Sequence, residues 1–573
     1  MTDSRPAIGH EAVSASAGSG KTFRLAHRFV RLLALDVAPE RIVALTFSRK
    51  AAGEIFDSIV SYLCAAAASD EAARDTGRQI EQDGLGPDDF LLLLRRFLDH
   101  LNRLHVGTLD SFIVGVVRAF PAELGIPQDF QVMDNDGTAA RDVQEQALAE
   151  IFNPHRHQPG DAHAFLEAFK QATFGREEKR LTDLLDRFIT GCRSVYQAIP
   201  AAGAWGQPDA VWPGSSTPWL ERVRDPAGVA ADLLTDLQAA GLGAYALDRW
   251  TAFAEQAAAF GPGSPLGRDI TYLLERLAPV YSSLDTGEVT IKINREHVPL
   301  TAPQGKRAAQ LVRHVIGESI RGALRQTQGI YSVLSAYESV YDQFVRRQGR
   351  LTFSDAQYLL TPAGPGGGAA LSRIPDREDR LFIDYRLDCA LDHWLLDEFQ
   401  DTSDLQWQVL QPLADEILQD DSGRRSFFYV GDIKQAIYGW RGGNARLFQA
   451  ILDRYGKAIE QIPLAKSYRS CEAIVHTVNR VFGALQGTDL PRAAVERWDA
   501  SWQEHGFAAG HVPGDGYAAI VEPPCDGGDT RPADEDRYRV VARLVDEIAP
   551  TQRGLSFAVL VRDNRSGHDV ANV

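Results

Sequence analysis

Cysteine is scarce and scattered. The 573 residues hold five, at Cys64, Cys192, Cys389, Cys471 and Cys525, and no two form a C-x-x-C pair. Neither a zinc ribbon nor a disulfide framework is supported, and reduced thiols in a cytosolic protein are expected. Long apolar runs are also missing: no stretch is long enough to span a bilayer. The opening residues, MTDSRPAIGHEAV, lack the basic-then-apolar layout of a secretory signal. Nor is there an excess of basic residues. The formal net charge is −17, which argues against a protein that passively coats nucleic acid. A chain that holds a strand in one local groove stays open, because total charge governs solubility and steering rather than a single cleft. No internal repeat is evident.

What is present is a soluble globular composition, 44% hydrophobic and 24% charged. The chain is too long for one core, so several domains are expected. Near the start stands VSASAGSGKT, Val13 to Thr22. Val13 closes a short apolar run. Ala17, Gly18, Ser19 and Gly20 form a small-residue loop, and Lys21 and Thr22 open the apolar-periodic stretch FRLAHRFVRLLAL. Strand, glycine-rich loop, Lys-Thr and helix make a phosphate cradle: small residues let backbone N–H groups approach an anion, and the helix N-terminus adds positive charge. Lys21 can reach the outer phosphates, and Thr22 offers a hydroxyl to Mg²⁺. The first glycine of the usual G-x-x-x-x-G-K-[ST] pattern is Ala15 here.

Further along, Ile42–Phe47 reads as a strand, Ser48 as a helix cap and 49–62 as a helix. Residues 65–100 read as helical with a loop near Asp83–Asp88, and VGTLDSF supplies another strand-to-helix unit. From about Asn135 to Arg350 the pattern is mostly helical, with loops at 198–218 and 261–267 and a short strand pair at GEVTIKINREHVPL. This block reads as a helical insertion inside an α/β domain. The α/β pattern returns with LTFSDAQYLL, a flexible loop TPAGPGGGAA, the strand WLL ending in Asp397-Glu398, and SFFYVGD at 426–432. Later strands are expected at IPLAKSY, YAAIVE and SFAVLVRD, with a helix at YRVVARLVDEIA.

Asp397 and Glu398 sit where an apolar strand meets a loop. A phosphate-cradle enzyme needs one carboxylate for Mg²⁺ and another to polarise the attacking water, and adjacent carboxylates at a strand end meet both needs. Gln435 can sense the γ-phosphate from the sheet edge. Tyr438 and Trp440 offer faces for unpaired bases, with core packing the competing role for Tyr438. Arg469, after a strand, has the placement of an arginine finger.

These segments together resemble a superfamily 1 DNA helicase of the UvrD/Rep type, nearest to the RecB/AddA-like helicase subunits of bacterial double-strand-break repair nucleases. SASAGSGKT resembles the Walker A motif, ALTFSRKAAGEI motif Ia, VGTLDSF motif Ib, and LTFSD the short motif before Walker B. LLDEFQDTSDLQW resembles motif II, VGDIKQAIYGWRGG motif III, LAKSYRSCEAIVHTVNRVF motif IV, and FAVLVRDN a strand of the second motor domain. The resemblance implies an α/β fold. Residues 1–135 and 351–462 would form a RecA-like domain, 136–350 its helical insertion, and 463–573 part of a second RecA-like domain.

It also implies roles. Ala15 to Thr22 would bind ATP, Thr22 and Asp397 would hold Mg²⁺, and Glu398 would activate water. Gln435 would couple the γ-phosphate to DNA, Tyr468 would lie against the adenine, and Arg469 would touch the γ-phosphate. Phe47, Thr108, Asp110, Tyr438 and Trp440 would line a single-strand groove. Expected partners are single-stranded DNA, duplex ends and an AddB-like nuclease subunit, with no membrane. The expected location is the bacterial cytoplasm, at the nucleoid. Three departures stand out. No Gln precedes the cradle, Asp110 stands where many relatives have His, and the 573 residues hold no counterpart of motifs V and VI or of a nuclease motif.

Two functions follow: an ATP-driven translocase or helicase, 3′ to 5′ by resemblance, in recombinational repair; or an ATP- and DNA-binding module without productive unwinding. A kinase or signalling NTPase would explain the cradle but not YGWRGG.

Overall fold

Short runs of apolar and β-branched residues, buried on both faces, make parallel strands rather than alternating ones. Ile42–Thr46 and Ser426–Gly431 are buried at every position. The structure, a computed structural model, describes residues 8–135, 137–152, 159–172, 181–214, 217–286, 288–364, 373–374, 377–387, 390–420, 422–439, 442–508, 516–523 and 532–573. Its α/β class is the one expected. Residue contacts divide the chain into two units, Met1–Ser14 with Lys21–Pro463, and Ala15–Gly20 with Leu464–Val573.

The first unit opens with β1 (His10–Ala15, whose last residue begins the loop), α1 (Lys21–Ala34), β2 (Ile42–Thr46) and α2 (Arg49–Ala66). Then come α3 (Asp70–Gln79), α4 (Pro87–Asp99), β3 (His105–Thr108), α5 (Leu109–Ala119) and β4 (Gln131–Met133). Ser48 caps α2 by accepting from the Ala51 N–H at 3.2 Å, as expected.

The helical block follows: α6 (Thr138–Ile151), α7 (Pro159–Ala172), α8 (Leu181–Ala198), α9 (Pro208–Val211), α10 (Pro226–Ala239), α11 (Ala244–Ala258) and α12 (Arg268–Leu277). The expected strand pair is β5 (Val289–Ile293) and β6 (Glu296–Leu300), antiparallel. α13 (Ala302–Phe344) then runs for 43 residues, about 65 Å at helical rise. Thr301 and Gln304 start it as a capping box, the Thr301 N–H donating to Gln304 Oε1 at 2.9 Å. One core of Trp250, Phe253, Leu273 and Leu311 packs near its start, and a second of Phe165, Ile189, Tyr337 and Tyr341 near its end. Gly329 lets α7 press close: a Cβ there would lie 2.7 Å from the Ala172 nitrogen.

The chain returns through β7 (Arg350–Thr352), which pairs with β4, and α14 (Phe353–Leu360). β8 (Arg373–Ile374), β9 (Arg377–Leu381) and α15 (Phe382–Arg386) come next. Residues 365–370, most of the expected glycine-rich loop, lie outside the described residues. β10 (His393–Leu396), α16 (Asp404–Leu418), β11 (Ser426–Gly431), α17 (Arg446–Tyr455) and β12 (Ile459–Leu464) complete the sheet, in the order β12-β1-β11-β10-β2-β3. β12 begins three residues before the expected Ile462. The pairings from β1 through to β3 are parallel, with Ser14 opposite Gly431, Leu396 opposite both Leu45 and Tyr429, and Thr46 opposite Thr108. Their carboxyl ends therefore share one edge, where α/β sheets place ligands.

The second unit contains β13 (Lys466–Ser467), paired with β14 (Gly506–Phe507), and the helices α18 (Glu472–Phe482), α19 (Arg492–Ser501), α20 (Asp534–Ile548) and α21 (Asn564–Ala571). The helix expected at YRVVARLVDEIA is α20. The strands expected at YAAIVE and SFAVLVRD do not form. A strand is completed by hydrogen bonds from a neighbour, and among the described residues neither stretch has a strand partner; Tyr517 is 85% and Leu560 96% exposed. Among the described residues no helix is long and apolar enough to cross a membrane.

A buried ionic cluster joins the helical block to α14. Asp355 is fully buried, and it accepts from Arg193 at 2.9 Å, Arg346 at 3.0 Å and the Tyr341 hydroxyl at 2.9 Å. The Thr352 N–H donates to it at 2.9 Å, and both arginines also pair with Glu338. Burial pushes the Asp355 carboxyl up, but the two guanidinium charges dominate and hold it at about 2. A carboxylate depressed in this way contributes stability that is present above its unfolded value of 3.8 and lost as pH falls through about 2. Asp355→Ala leaves buried cations short of a partner, and the expected cost is about 3–5 kcal/mol. Denaturant titration of the variant beside the parent chain measures it, and a loss below about 1 kcal/mol would contradict a paired buried cluster.

Candidate nucleotide and nucleic-acid site

The loop Ala15–Gly20 leaves β1 and delivers Lys21 to the first turn of α1. Gly18 and Gly20 have φ of 72° and 88°, the left-handed region that favours glycine. Ser19 folds inward, its Oγ donating to the Ser16 carbonyl at 2.7 Å. Within the second unit, the backbone of motif IV holds this loop. The Ser16 N–H donates to the Leu464 carbonyl at 3.1 Å, and the Tyr468 N–H to the Gly18 carbonyl at 2.8 Å. A Cβ on Gly18 would meet Arg469 Cβ at 2.7 Å and Ser467 Oγ at 2.8 Å, so glycine is required for space as well as for φ. Tyr468 is half exposed. Tyr468 and Arg469 thus adjoin the Ala15–Gly20 loop.

Within the first unit, Lys21 Nζ lies 2.8 Å from Glu398 Oε2, joining positions 377 residues apart in the chain. β10 makes this meeting. Its four residues are buried, its partner β2 fixes its register, and the Asp397 N–H donates to the Leu45 carbonyl at 2.8 Å. Asp397 and Glu398 come immediately after. The Glu398 N–H donates to Asp397 Oδ1 at 2.9 Å, and the φ of Glu398 is 50°, a conformation that costs a side-chain-bearing residue of order 1 kcal/mol or more. Burial and then the Glu398 charge push the Asp397 carboxyl up to about 6, although Lys21 pulls the other way. Asp401 is likewise raised to about 6, chiefly by burial and by Glu398.

Gln400 knits this turn to the end of β11. Its Nε2 donates to Glu398 Oε2 at 2.6 Å and to Asp401 Oδ2 at 3.2 Å, while its Oε1 accepts the Asp432 N–H at 3.0 Å. Asp432 Oδ2 in turn accepts Gln435 Nε2 at 2.7 Å. Lys21, Asp397, Glu398 and Gln435 are therefore tied into the same end of the sheet. Sequence reasoning does not single out the bridging Gln400; it is visible there only as the Q of DEFQDT.

Beside these lies a cleft lined by Thr46, Phe47, Asp110, Asp397, Glu398 and Gln406. The Thr46 hydroxyl is buried without a hydrogen-bond partner. Phe47 stacks on Tyr438, ring centroids 4.7 Å apart and planes 30° apart. Thr108 caps α5, accepting the Ser111 N–H at 3.1 Å. The Asp110 carboxylate accepts two side-chain amides, from Gln357 and Gln406. Four of the five residues expected to meet DNA are thus placed at the sheet edge; Trp440 lies outside the described residues.

The UvrD/REP helicase N-terminal domain matches residues 5–199 and 325–456. The unmatched interval covers the helices around the first insertion core. The chain is 26% identical over 551 residues to the A subunit of an ATP-dependent helicase/nuclease from Lactobacillus delbrueckii, covering 87% of this chain and 40% of that protein. It is 26% identical to the protein of that name from Moorella thermoacetica (82% and 33% covered) and 25% identical to that of Geobacillus kaustophilus (87% and 40%). The chain thus spans about a third to two fifths of the length of these relatives. With more than half its residues matched by that domain, the chain belongs to the UvrD/REP helicase family.

Proposed function

We propose that this chain is the ATP-driven motor part of a DNA helicase, a translocase on single-stranded DNA that moves 3′ to 5′. It would serve double-strand-break repair and recombination as the helicase portion of a helicase–nuclease, beside an AddB-like partner, in the bacterial cytoplasm at the nucleoid. Residues 1–135 and 351–462 would be the first motor domain, 136–350 its insertion, and 463–573 part of the second. The observation that carries this reading is the Lys21–Glu398 pair at 2.8 Å. It joins the phosphate-binding lysine to the carboxylate that would polarise water. Phosphate would draw Lys21 away and free Glu398 as the base.

Ala15 to Thr22 would cradle the ATP phosphates. Asp397 and Thr22 would hold Mg²⁺, which when bound neutralises phosphate charge. One observation supports that fit. The Asp397 carboxyl is raised by burial and then by the Glu398 charge, and a cation would relieve that repulsion. Its other ligands would come from phosphate, Thr22 and water, as for Mg²⁺. Gln435 would report the γ-phosphate, Tyr468 would face the adenine and Arg469 the γ-phosphate. Phe47, Thr108, Asp110, Tyr438 and Trp440 would form the DNA groove.

A second reading is a module that binds ATP and DNA without unwinding. It is favoured by the irregular backbone at 516–523 and 555–562, where a second motor domain would have strands.

ATP turnover of the chain with and without single-stranded DNA separates the two. The motor reading expects stimulation by DNA that Lys21→Ala abolishes, with Glu398→Gln stopping hydrolysis but leaving nucleotide binding. Arg469→Ala is expected to slow turnover about 10³–10⁵-fold. Nucleotide binding with no turnover in any condition leaves the second reading.

Metal-dependent nucleotide affinity should fall with pH. Asp397 must shed its proton to bind a cation, and with a value of about 6 the available carboxylate drops about fourfold from pH ~7.5 to pH ~5.5. Unliganded stability has the opposite sign: the folded carboxyl keeps its proton where the unfolded one releases it, so stability declines as pH rises from 3.8 to about 6. Fluorescent-nucleotide titrations across this range, beside Asp397→Asn, check the first sign; a flat profile in the parent chain refutes it.

Tyr438→Ala and Phe47→Ala are each expected to weaken binding of an oligothymidylate by about 1–3 kcal/mol, read by fluorescence anisotropy. Unchanged affinity would assign the stacked pair to packing.

A further inference from the structure

Asp110 is bonded in a way that its place beside the groove does not require. Its Oδ1 accepts Gln357 Nε2 at 2.9 Å and Gln406 Nε2 at 2.8 Å. The three residues belong to three helices: the first turn of α5, α14, and the first turn of α16. An ionised carboxylate only accepts, so both glutamines must turn their NH₂ groups toward it.

Gln406 is thereby fixed at its other end as well. Its Oε1 accepts the Ser403 N–H at 2.9 Å, closing the capping box that starts α16. Ser403 bridges to Gly443, and the Thr402 carbonyl accepts the Asn444 N–H at 2.9 Å, so the motif II turn is tied to the end of motif III. That turn begins at Glu398. On the other side, Asp110 follows Thr108, the cap of α5, and shares a cleft wall with Phe47. One oxygen therefore stands between the segment that faces the groove and the segment that carries the hydrolytic carboxylates.

We propose that Asp110 is a positioning residue that couples single-stranded DNA to nucleotide. DNA held against Phe47 and Thr108 shifts the start of α5, and the Asp110–Gln406 bond carries the shift to the Ser403 cap and so to Glu398. The inference rests on the reading of the chain as an ATP- and DNA-binding motor. Coupling between two sites is reciprocal, so it is measurable by binding alone, without turnover. A contiguous path of bonds is not itself coupling, which is why the test measures the coupling and not the path.

The experiment titrates a fluorescent ATP analogue into the full chain, with and without a saturating oligothymidylate. In the parent chain DNA is expected to change nucleotide affinity by about fivefold or more. Asp110→Ala is expected to bring that factor below about twofold at saturating DNA, whatever it does to the affinity for DNA alone. Asp110→Asn, which keeps Oδ1 as acceptor, is expected to restore coupling. Gln406→Glu keeps the capping acceptor but loses the donor, and is expected to uncouple as Asp110→Ala does. The double variant Asp110→Asn with Gln406→Glu reverses the bond, the introduced amide donating to the introduced carboxylate, and coupling is expected to return.

Full coupling in Asp110→Ala overturns the proposal. So does a tenfold loss of DNA affinity with coupling intact at saturating DNA, which would make Asp110 a DNA contact only. A parent chain that binds both ligands without coupling overturns it while leaving ATP and DNA binding standing. A parent chain that binds no nucleotide in a Lys21-dependent way removes the motor reading itself, and this proposal with it.

Discussion

The four residues of β10, His393–Leu396, are buried between two parallel neighbours, and the site depends on that constraint. A one-residue slip of β10 would exchange its Trp394/Leu396 face, packed in the core, with its His393/Leu395 face, and side chains of different size and polarity would then meet each packed layer. Its register against β2 and β11 is therefore fixed, and so is the point at which its chain leaves the sheet. Asp397 and Glu398 emerge there because the apolar run stops there. The same edge receives the ends of β1, β2, β3 and β11, which brings together segments from before and after the helical block.

What assembles at that edge is acidic and poorly compensated. Asp397, Glu398 and Asp401 crowd together, and two of them are raised to about 6. Lys21 is the cation bonded to the group, through Glu398. In a low-dielectric setting such crowding is costly, and the cost falls when a cation arrives or a proton stays. Glu398 is further held at a left-handed φ. The backbone strain on Glu398 and the raised carboxyls of Asp397 and Asp401 are thus gathered in one turn.

Local chemistry was legible in the sequence wherever it was local in the chain. The small-residue loop after β1, the Ser48 cap, the 289–300 hairpin and the turn after WLL each need only a few neighbouring residues, and each lies where expected. Contacts between distant segments were not legible. Nothing in LTFSD marks Asp355 as the centre of a buried cluster with Arg193 and Arg346, because its partners come from α8 and from beyond the end of α13. Gln400 and Gln406 were likewise hidden, since a glutamine's partners depend on which strands become neighbours. The stretches YAAIVE and SFAVLVRD have strand composition, but composition states what a residue can do on a sheet and not whether a partner strand is there.

α14 shows how the two parts of the first unit meet. It is eight residues long, and two of its polar residues face different neighbours. Asp355 binds the arginines and Tyr341 of the helical block, while Gln357 donates to Asp110 beside the cleft. Residues two apart on a helix point about 200° from each other, so one short helix can serve both sides at once. A buried ion cluster is a poor source of net stability, because desolvation offsets much of the attraction. Its geometric demand is strict, however: Asp355 takes donors from two arginines, a tyrosine and its own Thr352 cap, which leaves α14 little freedom to rotate. A helix fixed on one face by charge presents Gln357 to Asp110 at a set distance on the other. The 43-residue helix α13 supplies Glu338 and Tyr341 to that fixed face from near its own end, so the orientation of the helical block and the position of Asp110 are set by the same few bonds.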